Sequence, residues 1–119
     1  MTPFAAILKT AVDGSHAIGG AFADSQGEMV DSYSTMNTHD WAVLTAHYGV
    51  VLSQLVDAFG TLHYGGAELF IARHERIEVI VYAIEQGYYM LLAFREPPDF
   101  DAVFDRMCTA SALIKKEML

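Results

Sequence analysis

The strongest constraint on the fold is the segment 38–64, a long run with helical periodicity and almost no charge. Within it only Asp40 and Asp57 are charged at neutral pH, and no lysine or arginine occurs between Lys9 and Arg73. Large apolar residues recur there at steps of three and four, which is typical of a helix that packs one face on a core. The opposite face of such a helix is normally charged, and here it is not. We therefore expect a helix that packs against its own sheet on one side and against something else on the other. The large apolar residues are Trp41, Leu44, Tyr48, Val51, Leu52, Leu55, Phe59 and Leu62.

A second stripe of this segment consists of small or short residues. Each glycine in a helix interior costs about 1 kcal/mol relative to alanine, so Gly49 and Gly60 indicate a packing reason. Small side chains let two helix backbones come close, and the same helix of a second copy could lie there about a two-fold axis. The alternative is that this face lies under other elements of the same chain, or is solvated. The stripe comprises Ala42, Ala46, Gly49, Ser53, Val56 and Gly60.

Size and charge narrow the class of protein and of partner. The 119 residues are 53% hydrophobic, which predicts one folded domain over residues 1–119. The net charge is −8. A chain this acidic lacks the basic patch that nucleic acid or an anionic membrane surface requires, so we expect neither as a partner.

The single cysteine and the N-terminal segment favour a reducing compartment. Cys108 is the only cysteine, so no internal disulfide can form, as is usual in a reducing compartment. The segment 1–14 has no basic region and too short an apolar run for a signal peptide. We expect no apolar stretch of the roughly 20 residues that a membrane span needs, and hence a soluble cytoplasmic protein.

The order of predicted elements is helix, two strands, a long helix, three strands and a last helix. Thr2, Asn37 or Thr38, and Asp99 are suited to cap the three helices, and Tyr64-Gly65-Gly66 to end the long one. Short turns such as Glu85-Gln86-Gly87 favour an antiparallel meander. The fold class is therefore α+β, a five-stranded antiparallel sheet with the long central helix on one face and the two terminal helices on the other. The predicted strands are Ala17–Ala23, Glu28–Tyr33, Ala67–Arg73, Arg76–Ala83 and Tyr88–Phe94.

No pattern in the chain indicates catalysis or a bound cofactor. His39 and His47 are eight residues apart with no HExxH or CxxC spacing, so no metal site is expected. Neither G-x-S-x-G nor a phosphate-binding G-x-x-x-x-G-K-[ST] occurs, so the chain is not itself predicted to be a GTPase. Strand alternation places Glu68 and Glu78 on exposed faces or edges. We expect no catalytic residue, no cofactor and no metal.

Taken together, these segments resemble the roadblock/dynein light chain family. The likeness covers nearly the whole chain: a leading helix into Val12-Asp13-Gly14, the strand 17–23, the turn Asp24-Ser25-Gln26-Gly27, the long helix and the meander 69–94. Related sheets occur in profilin-like domains. The sparsely charged long helix is the departure from the family pattern.

The resemblance implies a function as well as a fold. Domains of this family form homodimers or heterodimers through the central helix and the third strand, and they serve as scaffolds or regulators of small Ras-like GTPases. It implies a non-enzymatic adaptor whose partners are itself and a small Ras-like GTPase or another roadblock-type protein. A small-molecule sensor and a small enzyme with an unrecognised site remain as alternatives. The expected dimer interface comprises Ala42, Ala46, Gly49, Val50, Ser53, Val56, Gly60, Leu69 and Ile71.

Overall fold

The structure is a computed structural model that describes residues 1–62, 64, 67–85 and 87–119. Within these residues the predicted order of elements is confirmed, and most boundaries move by one or two positions. The elements are α1 Pro3–Ser15, β1 Gly19–Ala23, β2 Met29–Ser34, α2 Thr38–Gly60, β3 Leu69–Arg73, β4 Glu78–Ala83, β5 Tyr89–Phe94 and α3 Phe100–Glu117.

Side-chain caps explain where two of the helices begin. The Thr2 hydroxyl accepts a hydrogen bond from the N–H of Ala5 at 3.0 Å. The Asn37 side chain accepts from the N–H groups of His39 at 2.9 Å and Asp40 at 3.3 Å. These bonds satisfy N–H groups that have no partner inside the helix. Asp99 occupies the N-cap position of α3 as predicted, although its side chain makes no cap hydrogen bond.

The predicted end of the long helix and the predicted turn between β4 and β5 both include residues outside the described part of the chain. The long helix was expected to reach residue 64, but α2 ends at Gly60 and the Thr61 hydroxyl donates to the Ala58 carbonyl at 2.9 Å. Of the proposed terminator, Gly65 and Gly66 lie outside the described residues. Gln86, in the predicted turn between β4 and β5, also lies outside them.

The five strands form one antiparallel sheet in the order β2-β1-β5-β4-β3. Short turns connect β3, β4 and β5 into an antiparallel meander. β1 pairs with both β2 and β5, so the β1–β2 hairpin extends the sheet beyond β5, at the edge opposite to β3. β3 pairs only with β4 in this sheet, so its outer backbone edge has no strand partner in the described part of the chain.

The helices divide between the two faces as predicted, and the predicted fold class is confirmed. α1 and α3 pack on one face, where Leu8, Met107 and Ile114 are fully buried. α2 packs alone on the other, where Trp41 and Tyr48 are buried. Alternation along the strands assigns successive side chains to opposite faces.

The burial of Glu78 contradicts one prediction made from the sequence. It was expected on an exposed face or edge, but its residue is only 5% exposed. The carboxylate is paired with the Arg73 guanidinium across the β3–β4 hairpin at 2.5 Å, which compensates part of the cost of its burial.

The length and composition of α2 contradict a second prediction, which concerned membrane-spanning segments. By length and composition, Thr38–Gly60 is long and apolar enough to cross a membrane, so the expectation that no stretch meets these criteria is wrong. A core helix can meet the same criteria. Here Trp41, Tyr48 and Leu52 lie on the sheet.

Candidate interaction surface on the central helix

The surface of α2 that faces away from the sheet exposes large aliphatic side chains. Val43 is 57% exposed and Val50 is 58% exposed, although both are aliphatic. Leu44 and Val51 are only partly buried against the core below. Apolar exposure of this kind, concentrated on one helix, is typical of a surface that another molecule covers.

One flank of α2 is turned toward the turn between β1 and β2. Gly27 lies in that turn with a φ of +82°, a conformation that favours glycine. A Cβ added to Gly49 would lie 2.4 Å from the Gly27 carbonyl oxygen, and one added to Gly27 would lie 1.8 Å from the Gly49 oxygen. The two backbones are therefore in direct contact, and no side chain fits between them. The close approach that Gly49 permits is thus made within the chain.

This geometry corrects the reasoning for the small-residue stripe. Ala46, Gly49 and Ser53 line a cavity together with Gln26 and Glu28 of the β1–β2 turn. That flank faces away from β3, because β2 and β3 are at opposite edges of the sheet. A partner that joined β3 and α2 at once would therefore not lie on this stripe.

The remaining members of the stripe give a mixed result. Ala42 and Ala46 are exposed, Val56 is half-buried, and a Cβ on Gly60 would meet nothing within 4 Å. Gly60 therefore has no packing contact in the described part of the chain that requires a glycine. It lies at the last position of α2, directly before the C-cap residue Thr61.

The other flank of α2 is turned toward β3 and the β3–β4 turn. A cavity of about 550 Å³ lies there, and Val43, Leu44, His47 and Tyr48 of α2 form one wall of it. The turn residues form the other wall: His74, Glu75, Arg76 and Ile77.

β3 contributes different side chains to this flank from those expected. Phe70 and Ala72 face α2 and are partly buried against its core. Leu69 packs against the α1 and α3 side, and Ile71 shares that face by alternation and is 44% exposed. Leu69 and Ile71, predicted at the interface, therefore lie on the face opposite to α2. Strand alternation could have identified Phe70 and Ala72, once the face of α2 was known.

A hydrogen bond links α2 to the β3–β4 turn at the inner end of this cavity. The Tyr48 hydroxyl bonds Nε2 of His74, and the two rings meet edge to face with centroids 5.9 Å apart. His47 meets the other side of Tyr48 in the same manner at 5.7 Å. Burial raises the pKa of the Tyr48 hydroxyl, so the phenol keeps its proton at neutral pH.

Elsewhere, a cavity of about 730 Å³ between the end of α1 and the start of α3 is lined by polar side chains that include His16, Arg95, Asp99 and Arg106. Among the described residues no group of three or more histidine, cysteine or carboxylate side chains could hold a metal ion. The Cys108 thiol lies 3.8 Å from the Tyr82 hydroxyl and is half-buried. With Val43 exposed on α2 and β3 at the edge of the sheet, this side of the molecule is suited to contact with another protein.

Comparison with solved protein structures identifies the fold of this chain. No protein-family model matches the chain, and no curated protein sequence matches it. MglB from Myxococcus xanthus superposes with a TM-score of 0.84 at 12% identity, over 99% of this chain and 96% of that one. The gliding protein MglB from Thermus thermophilus gives 0.79 at 13% identity, over 96% and 87%. The roadblock/LC7 domain from Streptomyces avermitilis gives 0.78 at 9% identity, over 96% of each chain.

At these identities the likeness establishes the fold alone. It extends over at least 96% of this chain in each of these pairs. The predicted resemblance is thus confirmed at the level of architecture, and the chain is a roadblock-type domain in fold.

Proposed function

We propose that this chain is a non-enzymatic adaptor that pairs with a second copy through the β3-side flank of α2 and the outer edge of β3, and that the pair binds and regulates a small Ras-like GTPase in the cytoplasm. The observation that carries the proposal is the coincidence of two uncovered features on one side of the molecule. The apolar flank of α2 that contains Leu44 faces the β3–β4 turn across a cavity, and the outer edge of β3 has no strand partner in the described part of the chain.

The dimensions of the sheet support pairing at this edge. Five strands span about 24 Å at about 4.8 Å each, whereas one helix with its side chains is about 10 Å wide. α1 and α3 together can cover one face, but α2 alone leaves part of the other face uncovered. A second copy joined edge to edge at β3 would bring its own α2 alongside and would continue the sheet. The contact would then be the same surface on both copies.

The proposed GTPase partner is supported by fold and charge. The chain superposes on gliding proteins named MglB, and the roadblock resemblance implies a GTPase-binding role. The net charge of −8 would speed encounter with a partner that has basic patches. The pair would regulate the GTPase by binding one nucleotide state more tightly than the other, which shifts the equilibrium between the two states.

The dimer is tested by light scattering with a charge introduced on the proposed surface. Val43 is 57% exposed, so Val43→Glu leaves the folded chain intact but places a carboxylate in an apolar contact. We expect the wild type to be a dimer and the variant to dissociate at least about tenfold more readily, a change of about 1.4 kcal/mol. Leu113→Glu is the matched control, because Leu113 is 44% exposed on α3, on the opposite face. An unchanged Val43→Glu dimer, or equal weakening by both variants, would exclude this surface.

The partner is tested separately by capture of a small Ras-like GTPase encoded beside this gene. The GTPase is loaded with GDP or with a non-hydrolysable GTP analogue and passed over the immobilised wild-type protein. We expect one nucleotide state to bind preferentially. Equal capture in both states would contradict regulation, and capture in neither would contradict the GTPase partner while leaving the dimer measurement unaffected.

A further inference from the structure

The two edge strands of the sheet differ in what occupies their outward backbone groups. Along an antiparallel strand, the backbone groups of alternate residues point to opposite sides. In β3, the Glu68 carbonyl accepts from the N–H of Ala83, and the His74 N–H donates to the Ile77 carbonyl, both at 2.8 Å. The even-numbered residues of β3 therefore face β4. The outward N–H and carbonyl groups are those of Leu69, Ile71 and Arg73, and within the described residues they have no strand partner.

The outer edge of β2 is different, because a carboxylate occupies one of its outward N–H groups. The Thr35 N–H donates to the Ile18 carbonyl at 3.0 Å, so residue 35 faces β1. By alternation Asp31 also faces β1, and Ser32 faces outward. The Ser32 N–H donates to Oδ1 of Asp31 at 2.9 Å. Oδ2 of the same carboxylate accepts from the hydroxyl of Thr2, the residue that caps α1, so the carboxylate is held at the edge from two sides.

A bulge adjoins this carboxylate. Phe22 of β1 pairs with Asp31 and Ala23 pairs with Met29, so Val30 between them has no partner in β1. Bulges and charged side chains are two of the means by which sheet edges avoid pairing with other chains. Val30 is 47% exposed, so this edge offers an apolar contact to another strand wherever its backbone is accessible.

We propose that Asp31 blocks strand addition at the β2 edge, so that copies of this chain join through β3 and assembly stops at two. A strand added at β2 would have to bring a carbonyl oxygen to the position that the Asp31 carboxylate occupies, and the two oxygens repel each other. A sheet with two open edges can add copies head to tail without limit, whereas one open edge gives a closed pair. The stop at two copies rests on the dimer proposed above, but the blocked edge is a property of the single chain.

Light scattering of Asp31→Ala over a range of concentrations tests the proposal. The weight-average mass of the wild type should level off at that of two chains, whereas Asp31→Ala should reach at least about twice that mass, because both edges are then open. Asp105→Ala is the matched control, since Asp105 is exposed on α3 and its loss removes the same charge away from both edges. Asp31→Ala combined with Ser32→Pro should return to two chains, because proline lacks the N–H that Asp31 covers.

Amide hydrogen exchange tests the contact itself, at a concentration at which single chains dominate. The protection factor of the Ser32 amide should fall about fivefold in Asp31→Ala, as expected for the loss of one hydrogen bond. An unchanged protection factor would refute the contact.

Three results of the light scattering would overturn the proposal. They are an Asp31→Ala mass equal to that of the wild type, equal growth of Asp105→Ala, and growth that persists in the proline variant, which would indicate general misfolding. A wild type that is monomeric would refute pairing at β3 and not the blocked edge, because Asp31→Ala would then still associate through β2.

Discussion

The two faces of the sheet differ in how completely they are covered. On the face packed by α1 and α3, Leu8, Met107 and Ile114 are fully buried. On the face packed by α2, Val43 and Val50 are more than half exposed. Both faces are supplied by the same strands, in which one set of alternating residues points to each side. The difference therefore comes from the helices, two on one face and one on the other.

This contrast indicates what kind of contact each face can make. The α1 and α3 face buries most of its large apolar side chains, with Ile71 and Leu113 each 44% exposed at its margins, so its stability depends mainly on packing within the chain. The α2 face has a buried row under the helix, which includes Trp41, Tyr48 and Leu52, and an uncovered surface above and beside it. A single chain cannot bury that surface, and a second chain can.

The largest expected effect is the difference in unfolding free energy between a substitution on the α1 and α3 face and one on the α2 surface. Leu8→Ala leaves a cavity under α1, where Leu8 is fully buried, and should lower the free energy of unfolding by about 2–5 kcal/mol. Val43→Ala on the uncovered surface should change it by no more than about 0.5 kcal/mol, as is usual for exposed positions. Urea unfolding at a protein concentration low enough for the monomer to dominate measures both.

The same pair examined at high concentration sharpens the contrast. If the α2 surface pairs, the stability of the wild type rises with protein concentration, and Val43→Ala reduces that dependence. A cost for Val43→Ala in the monomer that approaches the cost for Leu8→Ala would show that Val43 is part of the chain's own core. The distinction between the faces would then be wrong.

The fold could be predicted from the sequence because its signals are local. Helical periodicity in 38–64, alternation in Ile77–Tyr82 and turn residues at Asp24–Gly27 each act over a few residues. Element order and short turns then leave few arrangements of the sheet. Helix ends were predicted less well, since α2 stops at Gly60 and Asp99 provides no side-chain cap bond.

The interaction surface could not be located in the same way. Both flanks of α2 are largely apolar and carry little charge, so its sequence does not say which of them faces β3. The contact between Gly27 and Gly49 joins residues 22 positions apart and depends on the final placement of the hairpin over the helix. The buried state of Glu78 likewise depends on its cross-strand partner Arg73. Such contacts follow from tertiary geometry, which local periodicity does not encode.

The second prediction concerns how α2 is placed on its face. Gly49→Ala would bring a methyl group to 2.4 Å from the Gly27 oxygen, so backbone must shift, at a cost of about 1–3 kcal/mol in the free energy of unfolding. Gly60→Ala, on the same helix, meets nothing within 4 Å and should stabilise the chain by about 0.5–1 kcal/mol. Thermal or urea unfolding of the two variants gives effects of opposite sign.

The opposite signs also distinguish two explanations of the small residues on α2. If Gly49 served mainly for contact between two copies, Gly49→Ala would leave monomer stability unchanged and would weaken only the dimer. Equal effects of the two alanine variants on the monomer would contradict the Gly27–Gly49 contact.

The smallest expected effect compares one tyrosine from each face. Burial raises the pKa of Tyr48 on the α2 face. The side-chain hydrogen bond with Cys108 is the main cause that raises the pKa of Tyr82 on the other face, with burial second. Both tyrosines should therefore ionise above about 10, the usual value. Because the unfolded chain ionises first, the stability associated with both is complete below that pH and is lost as the pH rises through the folded values.

Cys108→Ala separates the two causes. It removes the thiol from Tyr82 and should lower the pKa of that hydroxyl, whereas Tyr48 is on the opposite face and should keep its own. An alkaline titration followed by the ultraviolet absorbance of tyrosinate, with Tyr48→Phe and Tyr82→Phe to assign each transition, measures the change. A shift of the Tyr48 transition in Cys108→Ala would mean that the faces are coupled through the sheet, since the two tyrosines belong to separate clusters on its opposite faces. An unchanged Tyr82 transition would instead assign its raised pKa to burial, the same cause as on the face with a single helix.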